Sequence, residues 1–451
     1  MKYLSRYGVM NPLAEELNVT IKEASPAMFG VLSELGREFF FPRGILTQTA
    51  EAKKDAHRYN ATIGIARSGG EAMYLPALMG LVNGLTPTEA LGYAPAGGNP
   101  NLRYRWREDM FMKNPSLAGK EISLPVVTSG ITHGLTLAGE LFLDPGDVVV
   151  LPDKAWGNYK MVFGVRRGAE IRSFPFFTPG GGFNTAGLVR ELDGVLAEKG
   201  KALVVLNFPN NPTGYTIRSD EAKGLVAELL SLAGPGRDLV VLLDDAYFGL
   251  FYTDDVPGES LFGMLASESE HLFAVKLDGA TKEQYAWGLR VGFITFNAVA
   301  GGREAGLYEA LEKKVAGAIR GSISNCCQLS QSMLLQALDD PDFGRQKKEK
   351  YDLMRRRALK VKEVLQNPDY EEVWEPYPFN AGYFMCLRLK GIDAEELRLR
   401  LLERYGVGVI AQGEDLRIAF SCLETDEIPE LFDIMHRCAL EIRQETGGRA
   451  V

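Results

Sequence analysis

One lysine lies in a segment of small residues where its amine could be reactive. Lys282 is part of 279–283 (GATKE), between the apolar runs 272–275 and 291–296. Arg290 follows eight residues later, beyond a small loop that can bring its guanidinium back beside the lysine. A fixed dianion such as a phosphate needs a bidentate donor of this kind. Taken alone, the segment also fits a surface lysine and an exposed arginine, as most such residues are.

Complementary polar groups end two neighbouring apolar runs. Asn211 lies in the rigid turn 207–214 (NFPNNPTG), and Asp244 and Tyr247 lie in 244–247 (DDAY). Ligands of open α/β sheets bind at the carboxyl ends of the strands. Independent capping residues would rarely supply complementary groups at several strand ends, so the pattern favours one shared site.

An anion site is predicted upstream of these motifs. The segment 128–134 (TSGITHG) joins a predicted strand to a helix with apolar periodicity. Backbone N–H groups and the helix dipole at such a helix start attract negative charge. The segment contains Gly130, Ile131 and Thr132, and also His133, for which substrate contact and a structural role are both open.

The elements that must position these groups alternate between apolar strand, turn and helix, which is typical of a parallel sheet covered by helices. Strands are predicted at 124–127, 148–151, 203–207, 239–243, 272–275 and 291–296. Long amphipathic helices follow at 304–320, 346–365 and 424–443, with strands at 382–389 and 416–420. We therefore predict an α/β fold with a large domain, 61–302, and a smaller α+β domain formed by 1–60 and 303–451.

Composition argues against several classes of protein. The net charge of −9 leaves no overall cationic surface for nucleic acid. Five cysteines without a CxxC pair and four histidines without an HExxH motif predict no metal site. A dinucleotide-binding GxGxxG motif is absent from the sequence. No run of about 18 apolar residues and no signal peptide is evident, so we predict a cytoplasmic protein without membrane partners.

The ordered motifs from Tyr93 to Arg417 resemble the pyridoxal 5′-phosphate-dependent aminotransferases of class I and II, the fold type I superfamily of aspartate aminotransferase. The resemblance implies a large domain with a mostly parallel seven-stranded sheet between helices, plus a smaller α+β domain. It implies that Lys282 forms the Schiff base with the cofactor and shuttles a proton. Asp244 would pair with the pyridine nitrogen. Asn211 and Tyr247 would hydrogen-bond the phenolic oxygen of the cofactor.

The resemblance implies the remaining cofactor contacts as well. Phosphate binding is implied for Gly130, Ile131, Thr132 and Arg290. Trp156 would stack on the pyridine ring, and Tyr93 would reach the phosphate of a neighbouring subunit, which implies a homodimer with shared active sites. Several family members have serine where Gly279 stands, so Thr281 is the nearby candidate for a side-chain contact to phosphate.

Substrate binding is assigned by the same resemblance. Arg417 alternates with Leu416 and Ile418 along a predicted strand and matches the arginine that binds the substrate α-carboxylate. Asn211 would assist, and Gly64 matches a turn that closes over the same carboxylate. The aromatic run 39–41 could shape an apolar substrate pocket or belong to the core.

The leading hypothesis is therefore an aminotransferase that moves an amino group from an L-amino acid to a 2-oxo acid by a ping-pong mechanism. The same residues would serve a fold type I lyase or decarboxylase, such as a C–S lyase, because substrate orientation decides which Cα bond breaks. A transcriptional regulator built on an aminotransferase-like domain is a third hypothesis. The mixed charges of the first 60 or so residues argue against it.

Overall fold

A seven-stranded sheet forms the centre of the fold in the computed structural model, which describes residues 4–5, 8–41 and 44–447. Its strands in chain order are β1 (Val126–Thr128), β2 (Val148–Pro152), β3 (Glu170–Phe174), β4 (Lys201–Asn207), β5 (Asp238–Asp244), β6 (Leu272–Gly279) and β7 (Gly292–Asn297). The spatial order is β1-β7-β6-β5-β4-β2-β3, and β7 runs antiparallel to β1 and β6. The prediction of a mostly parallel seven-stranded sheet is confirmed.

The strands form the sheet because most of them are apolar on both faces, as in buried parallel sheets. In β5, Val241 and Leu243 belong to one hydrophobic cluster, while Val240 and Leu242 belong to a second cluster on the opposite face. The strand β3 was not among the predicted runs. It is an edge strand in which only Phe174 is buried, and its polar residues Glu170, Arg172 and Ser173 mask the apolar pattern of a strand.

Helices cover both faces of the sheet. The helices up to the end of the sheet are α1 (Pro12–Ala24), α2 (Pro26–Val31), α3 (Glu34–Glu38), α4 (Ile45–Asp55), α5 (Pro76–Met79), α6 (Pro87–Leu91), α7 (Pro100–Lys113), α8 (Ile131–Phe142), α9 (Thr185–Lys199), α10 (Ser219–Leu232), α11 (Leu261–Leu265) and α12 (Ala280–Glu283). Five more follow: α13 (Glu304–Ser322), α14 (Gln328–Leu338), α15 (Phe343–Val364), α16 (Ala394–Tyr405) and α17 (Glu427–Gly447). The helix α8 packs on β6 and β7, whereas α9 packs on β4 from the other face.

A second, antiparallel sheet lies in the C-terminal part. Its strands are β8 (Trp374–Pro376), β9 (Met385–Leu389), β10 (Ile410–Gln412) and β11 (Asp415–Ile418), in the order β8-β9-β11-β10. The N-terminal region joins this part, because α4 contacts α16 and β10, and Tyr59–Asn60 pairs with Val407–Gly408.

The predicted domain limits stay a prediction. The ends of the predicted small domain, at residues 1 and 451, lie outside the described residues. The helix α13, which the prediction assigns to the small domain, packs on α8 and β1 of the large sheet. The apolar residues of α13, such as Val315 and Ile319, explain this packing because they complete the cluster beneath α8.

Candidate active site

A cleft of about 240 Å³ opens where several strands of the large sheet end. Asn207 ends β4, Asp244 ends β5, and the short helix with Lys282 follows β6. The cleft is therefore at the sheet edge where open α/β folds bind ligands. Its lining residues are Ile131, Thr132, Trp156, Tyr159, Asn207, Asn211, Asp244, Ala246, Tyr247, Thr281, Lys282 and Arg290.

Lys282 is held on the short helix α12 with its amine in this cleft. The Lys282 Nζ lies 5.0 Å from the centre of the Tyr247 ring, and the Tyr383 hydroxyl donates to the Lys282 carbonyl oxygen at 3.1 Å. Burial lowers the pKa of Lys282 to about 8. The negative charge of Asp244 opposes this shift, and the positive charge of Arg290 adds to it. A larger fraction of the amine is thus neutral near pH 7 than for an ordinary lysine.

Asp244 is fully enclosed and faces the cleft from β5. The Tyr159 hydroxyl donates to its Oδ2 at 2.6 Å, and the Ala246 backbone N–H donates to its Oδ1 at 3.1 Å. Burial raises the pKa of Asp244 to about 6, although both hydrogen bonds oppose the shift. The carboxylate is therefore ionised at pH 7 and has free capacity for a cationic ligand group.

Arg417 is connected to β4 through a chain of hydrogen bonds. Its Nη1 donates to Asn211 Oδ1 at 3.2 Å and its Nη2 donates to the Thr62 carbonyl at 2.9 Å. The Asn211 N–H donates to Asn207 Oδ1 at 2.8 Å, and Asn207 Nδ2 donates to the Asp244 carbonyl at 2.8 Å. Burial lowers the pKa of Arg417, which is 2% exposed. A buried guanidinium without a carboxylate partner among the described residues suits an anionic ligand.

The anion end of the cleft depends on glycine. Gly130 precedes α8 with φ +76°, and a Cβ there would lie 2.4 Å from Arg290 Nη2. Only glycine lets the arginine approach the start of the helix so closely. At position 279 a Cβ would lie 2.6 Å from the Val291 carbonyl, so the serine of other family members does not fit here. Thr281, which is buried and lines the cleft, is the nearby hydroxyl.

The remaining predicted residues divide into those in the cleft and one outside it. Trp156 lines the cleft and contacts Tyr159 edge-on, with ring centres 5.6 Å apart. Gly64 lies beside the cleft, because a Cβ at position 64 would be 3.9 Å from the hydroxyl of the lining residue Tyr247. Tyr93 is 93% exposed and does not line the cleft of its own chain. Its predicted role in a neighbouring subunit stays a prediction.

Sequence reasoning assigned no role to Tyr159, Asn207 and Ala246, which line the cleft, or to Tyr383, whose hydroxyl donates to the Lys282 carbonyl. A signal existed for Tyr159, which follows Trp156 by three residues and so lies about one helical turn away. None existed for Tyr383, which comes from a distant part of the chain. His133 accepts a hydrogen bond from the Ser129 N–H at its Nδ1, at 3.1 Å, which is a structural role at the start of α8.

The described residues also bear on metal ions and membranes. In residues 4–5, 8–41 and 44–447, no group of three or more His, Cys, Asp or Glu residues could hold a metal ion. Among the same residues, no helix is long and apolar enough to cross a bilayer.

Comparison with known proteins identifies the family. The profile of Aminotransferase class I and II matches residues 84–434. An aspartate aminotransferase of Sulfurisphaera tokodaii is 24% identical over 348 residues, which cover 74% of this chain and 79% of that protein. A probable N-acetyl-LL-diaminopimelate aminotransferase of Bacillus subtilis is 24% identical over 362 residues, covering 78% and 82%.

Solved structures show the same fold. An aminotransferase of Anaerococcus prevotii superposes with a TM-score of 0.79 at 21% identity and covers 89% of this chain and 97% of its own. The kynurenine aminotransferase of Pyrococcus horikoshii gives a TM-score of 0.74 at 19% identity, with coverage of 92% and 98%. The fold and the cleft define a fold type I aminotransferase. The chain belongs to the aminotransferase class I and II family and is an enzyme of the transaminase class.

Proposed function

We propose that this chain transfers an amino group from an L-amino acid to a 2-oxo acid in two half-reactions, using pyridoxal 5′-phosphate bound covalently through Lys282. The observation that carries the proposal is the cleft itself. It brings a lysine amine of lowered pKa together with an enclosed carboxylate, and a buried arginine, Arg417, contacts Asn211 in its wall. These groups match the amine, the ring nitrogen and the substrate carboxylate that such a reaction must hold.

The residues present fit this cofactor. Gly130, the first turn of α8 and Arg290 form a cradle for a dianion, and a Cβ at position 130 would fill it. Asp244 supplies the anion that would keep the pyridine nitrogen protonated, and Trp156 supplies an aromatic wall. When bound, the cofactor supplies an electron sink for the negative charge that develops at the substrate Cα.

The side chains of this protein would do the rest. Arg417 binds the substrate α-carboxylate, and Asn211 fixes the position of that guanidinium. Because its pKa is about 8, the Lys282 amine is neutral for about a tenth of the molecules at pH 7. A neutral amine can accept the proton from the substrate Cα, and the resulting ammonium can return it. The Tyr247 hydroxyl and Asn211 amide face the same space and can donate to an anionic ring oxygen.

The proposal can be tested on the purified holoprotein. Borohydride reduction followed by peptide mapping should label Lys282, and Lys282→Ala should remain unlabelled. In a separate, unreduced sample, amino acids should convert the near-visible absorbance of the cofactor into that of its amine form, and 2-oxoglutarate should restore it. Failure to label Lys282 would remove the basis of the proposal. Formation of pyruvate and ammonia from a single substrate would instead indicate the lyase.

We further propose a homodimer in which Tyr93 serves the neighbouring site. Its 93% exposure in a single chain supports this assignment, because the ring is not packed within its own subunit and is available to a neighbouring one. Sedimentation should show a dimer. Mixed dimers of Tyr93→Phe and Lys282→Ala chains should regain one intact site, whereas each parent dimer has none. The division into domains 61–302 and 1–60 with 303–451, and a cytoplasmic location, are proposed from the sequence patterns.

A further inference from the structure

A second, larger cavity adjoins the cleft. It has a volume of about 1010 Å³, compared with about 240 Å³ for the cleft, and Trp156 lines both. Three parts of the chain enclose it: residues from the N-terminal region, the segment that follows Trp156, and the end of β10. A ligand anchored in the cleft could therefore extend past Trp156 into a much larger space.

The cavity shares a structural element with the proposed carboxylate site. Gln412 and Gly413 line the cavity, and they follow Ile410 in β10. Ile410 is paired directly with Arg417 in β11. A substrate whose carboxylate is bound by Arg417 thus begins beside the strand that forms one wall of the cavity. Trp156 lines both the cleft and the cavity and is therefore the residue they share.

The wall of the cavity is mainly apolar. Its apolar side chains include Met10, Phe40, Ile45, Met161, Val165 and Ile171. Such a wall stabilises an apolar side chain by removing it from water, at roughly 25 cal/mol per Å² of buried area. A small polar side chain, such as that of aspartate, would leave most of this wall uncovered.

One carboxylate interrupts this apolar wall. Glu38, at the end of α3, is 9% exposed and lines the cavity. Among the described residues it has no ion pair or hydrogen bond, and the other charged lining residue, Lys160, is exposed and lies beyond ion-pair distance. A carboxylate that opens onto an apolar cavity, with no cation beside it among the described residues, is available to a ligand group of opposite charge.

On the basis of the proposed function, we propose that this cavity receives the side chain of the substrate. The substrate class is then amino acids with a long side chain, apolar along its length and cationic at its end. The apolar stem would cover the wall, and the terminal ammonium or guanidinium would pair with Glu38.

The test compares substrates that differ in one feature. Lysine and norleucine have side chains of four carbons, but only lysine carries the terminal ammonium. In the first half-reaction of the holoprotein, kcat/KM should be about 10- to 100-fold higher for lysine than for norleucine, as expected for one hydrogen-bonded charge pair. Aspartate should be the poorest of the three substrates.

Variants then locate the effect. Glu38→Gln should remove the preference for lysine and leave norleucine unchanged, and Glu38→Lys should favour acidic side chains over lysine. Glu23→Gln, an exposed carboxylate on α1, should behave as the parent protein. Thermal unfolding of each variant identifies any general loss of structure.

Binding without turnover gives a second readout. α-Methyl-lysine has no Cα hydrogen and cannot complete the transfer, so calorimetry reports its affinity alone. That affinity should fall about 10- to 100-fold in Glu38→Gln, while the affinity of α-methyl-norleucine is retained. If aspartate is preferred, or if Glu38→Gln leaves the preference intact, the substrate class is wrong although the transaminase stands. If no amino acid converts the cofactor, the proposed function itself fails.

Discussion

The ends of β5 and β6, with the short helix α12 that follows β6, place lysine and aspartate side chains on both faces of the sheet, and the two sets behave differently. Asp244 and Asp245 are consecutive, so the pleat directs Asp244 to the cleft and Asp245 to the other face. On that other face, Lys276 contacts Asp245 directly, and its Nζ lies 3.4 Å from Asp278 Oδ2. On the cleft face, Lys282 forms no ion pair with any described residue.

The pKa values of Lys276 and Lys282 reflect this difference in ion pairing. Burial would lower the pKa of Lys276, which is 1% exposed, but the charges of Asp245 and Asp278 outweigh burial and raise it. For Lys282, burial prevails over the more distant charge of Asp244 and lowers the pKa. Burial thus lowers the pKa of the amine that has no carboxylate within contact distance, and contact with two carboxylates reverses its effect. The same two residue types give an ion pair on one face and an unpaired amine of lowered pKa on the other.

The face away from the cleft is also well satisfied by hydrogen bonds. The Ser260 hydroxyl donates to Asp245 Oδ2 at 2.6 Å, and Trp106 Nε1 donates to Asp278 Oδ1 at 3.2 Å. Charges that are buried, paired and hydrogen-bonded in this way hold a structure in place, and removing one partner leaves the other uncompensated.

The largest expected effect is on activity, from removal of the cleft lysine. Lys282→Ala should reduce the rate of amino transfer by at least about 10³-fold, because it removes the residue proposed as both covalent anchor and proton acceptor. Lys276→Met, assayed well below its melting temperature, should stay within about 10-fold of the parent rate. Single-turnover absorbance measurements compare the two. Equal losses in both variants would contradict the division between a reactive and a structural lysine.

The second largest expected effect is a loss of stability when Lys276 is replaced. Lys276→Met should lower the free energy of unfolding by about 3–5 kcal/mol, because Asp245 and Asp278 are left buried without a cation. Denaturant unfolding of the cofactor-free protein measures this. The double variant Lys276→Met with Asp245→Asn should recover part of the loss. Lys313→Met, which breaks an exposed pair with Glu309, is the control and should change little.

A third prediction concerns Asp244 in the cleft. Its replacement should raise the free energy of unfolding, whereas replacement of Lys276 should lower it. The pKa of Asp244 is raised to about 6 from an ordinary value of 3.8. Its contribution to stability is therefore complete below pH 3.8 and is lost as the pH rises through 6. Asp244→Asn should stabilise the cofactor-free protein at pH 8 by about 1–3 kcal/mol and lose this advantage near pH 4. The free energy of unfolding of both proteins, measured at pH 8 and at pH 4, tests this prediction. A variant less stable than the parent protein at pH 8 would contradict it.

Local sequence signals predicted the groups of the cleft face better than those of the other face. Lys282, Asp244, Asn211 and Arg290 lie in segments whose turns and strand ends could be read along the chain, and the structure brings all four to one cleft. Lys276 carried no such signal, because it stands inside an apolar strand and its partners come from other elements.

Long-range packing accounts for what sequence reasoning missed. The place of α13 against the large sheet depends on which apolar stripe meets which partner, and amphipathic periodicity does not specify the partner. The proposed substrate cavity is likewise invisible in the sequence, because Glu38 and Trp156 are 118 positions apart and meet only through the packing of the N-terminal helices.

The smallest expected effect is a shift in the pKa of Asp244, which depends on its hydrogen bond from Tyr159. On the other face a lysine neutralises the neighbouring aspartate, but on the cleft face the compensating side-chain donor is the Tyr159 hydroxyl. Tyr159→Phe removes a hydrogen bond to the ionised carboxylate, so the pKa of Asp244 should rise and the acidic limb of the activity profile should move up by about one pH unit. Tyr252→Phe is the matched control, because it loses an equally buried hydrogen bond, to the Gly382 carbonyl at 2.7 Å, away from the cleft. A lowered melting temperature in both variants with an unmoved acidic limb in Tyr159→Phe would show that Tyr159 only supports the structure.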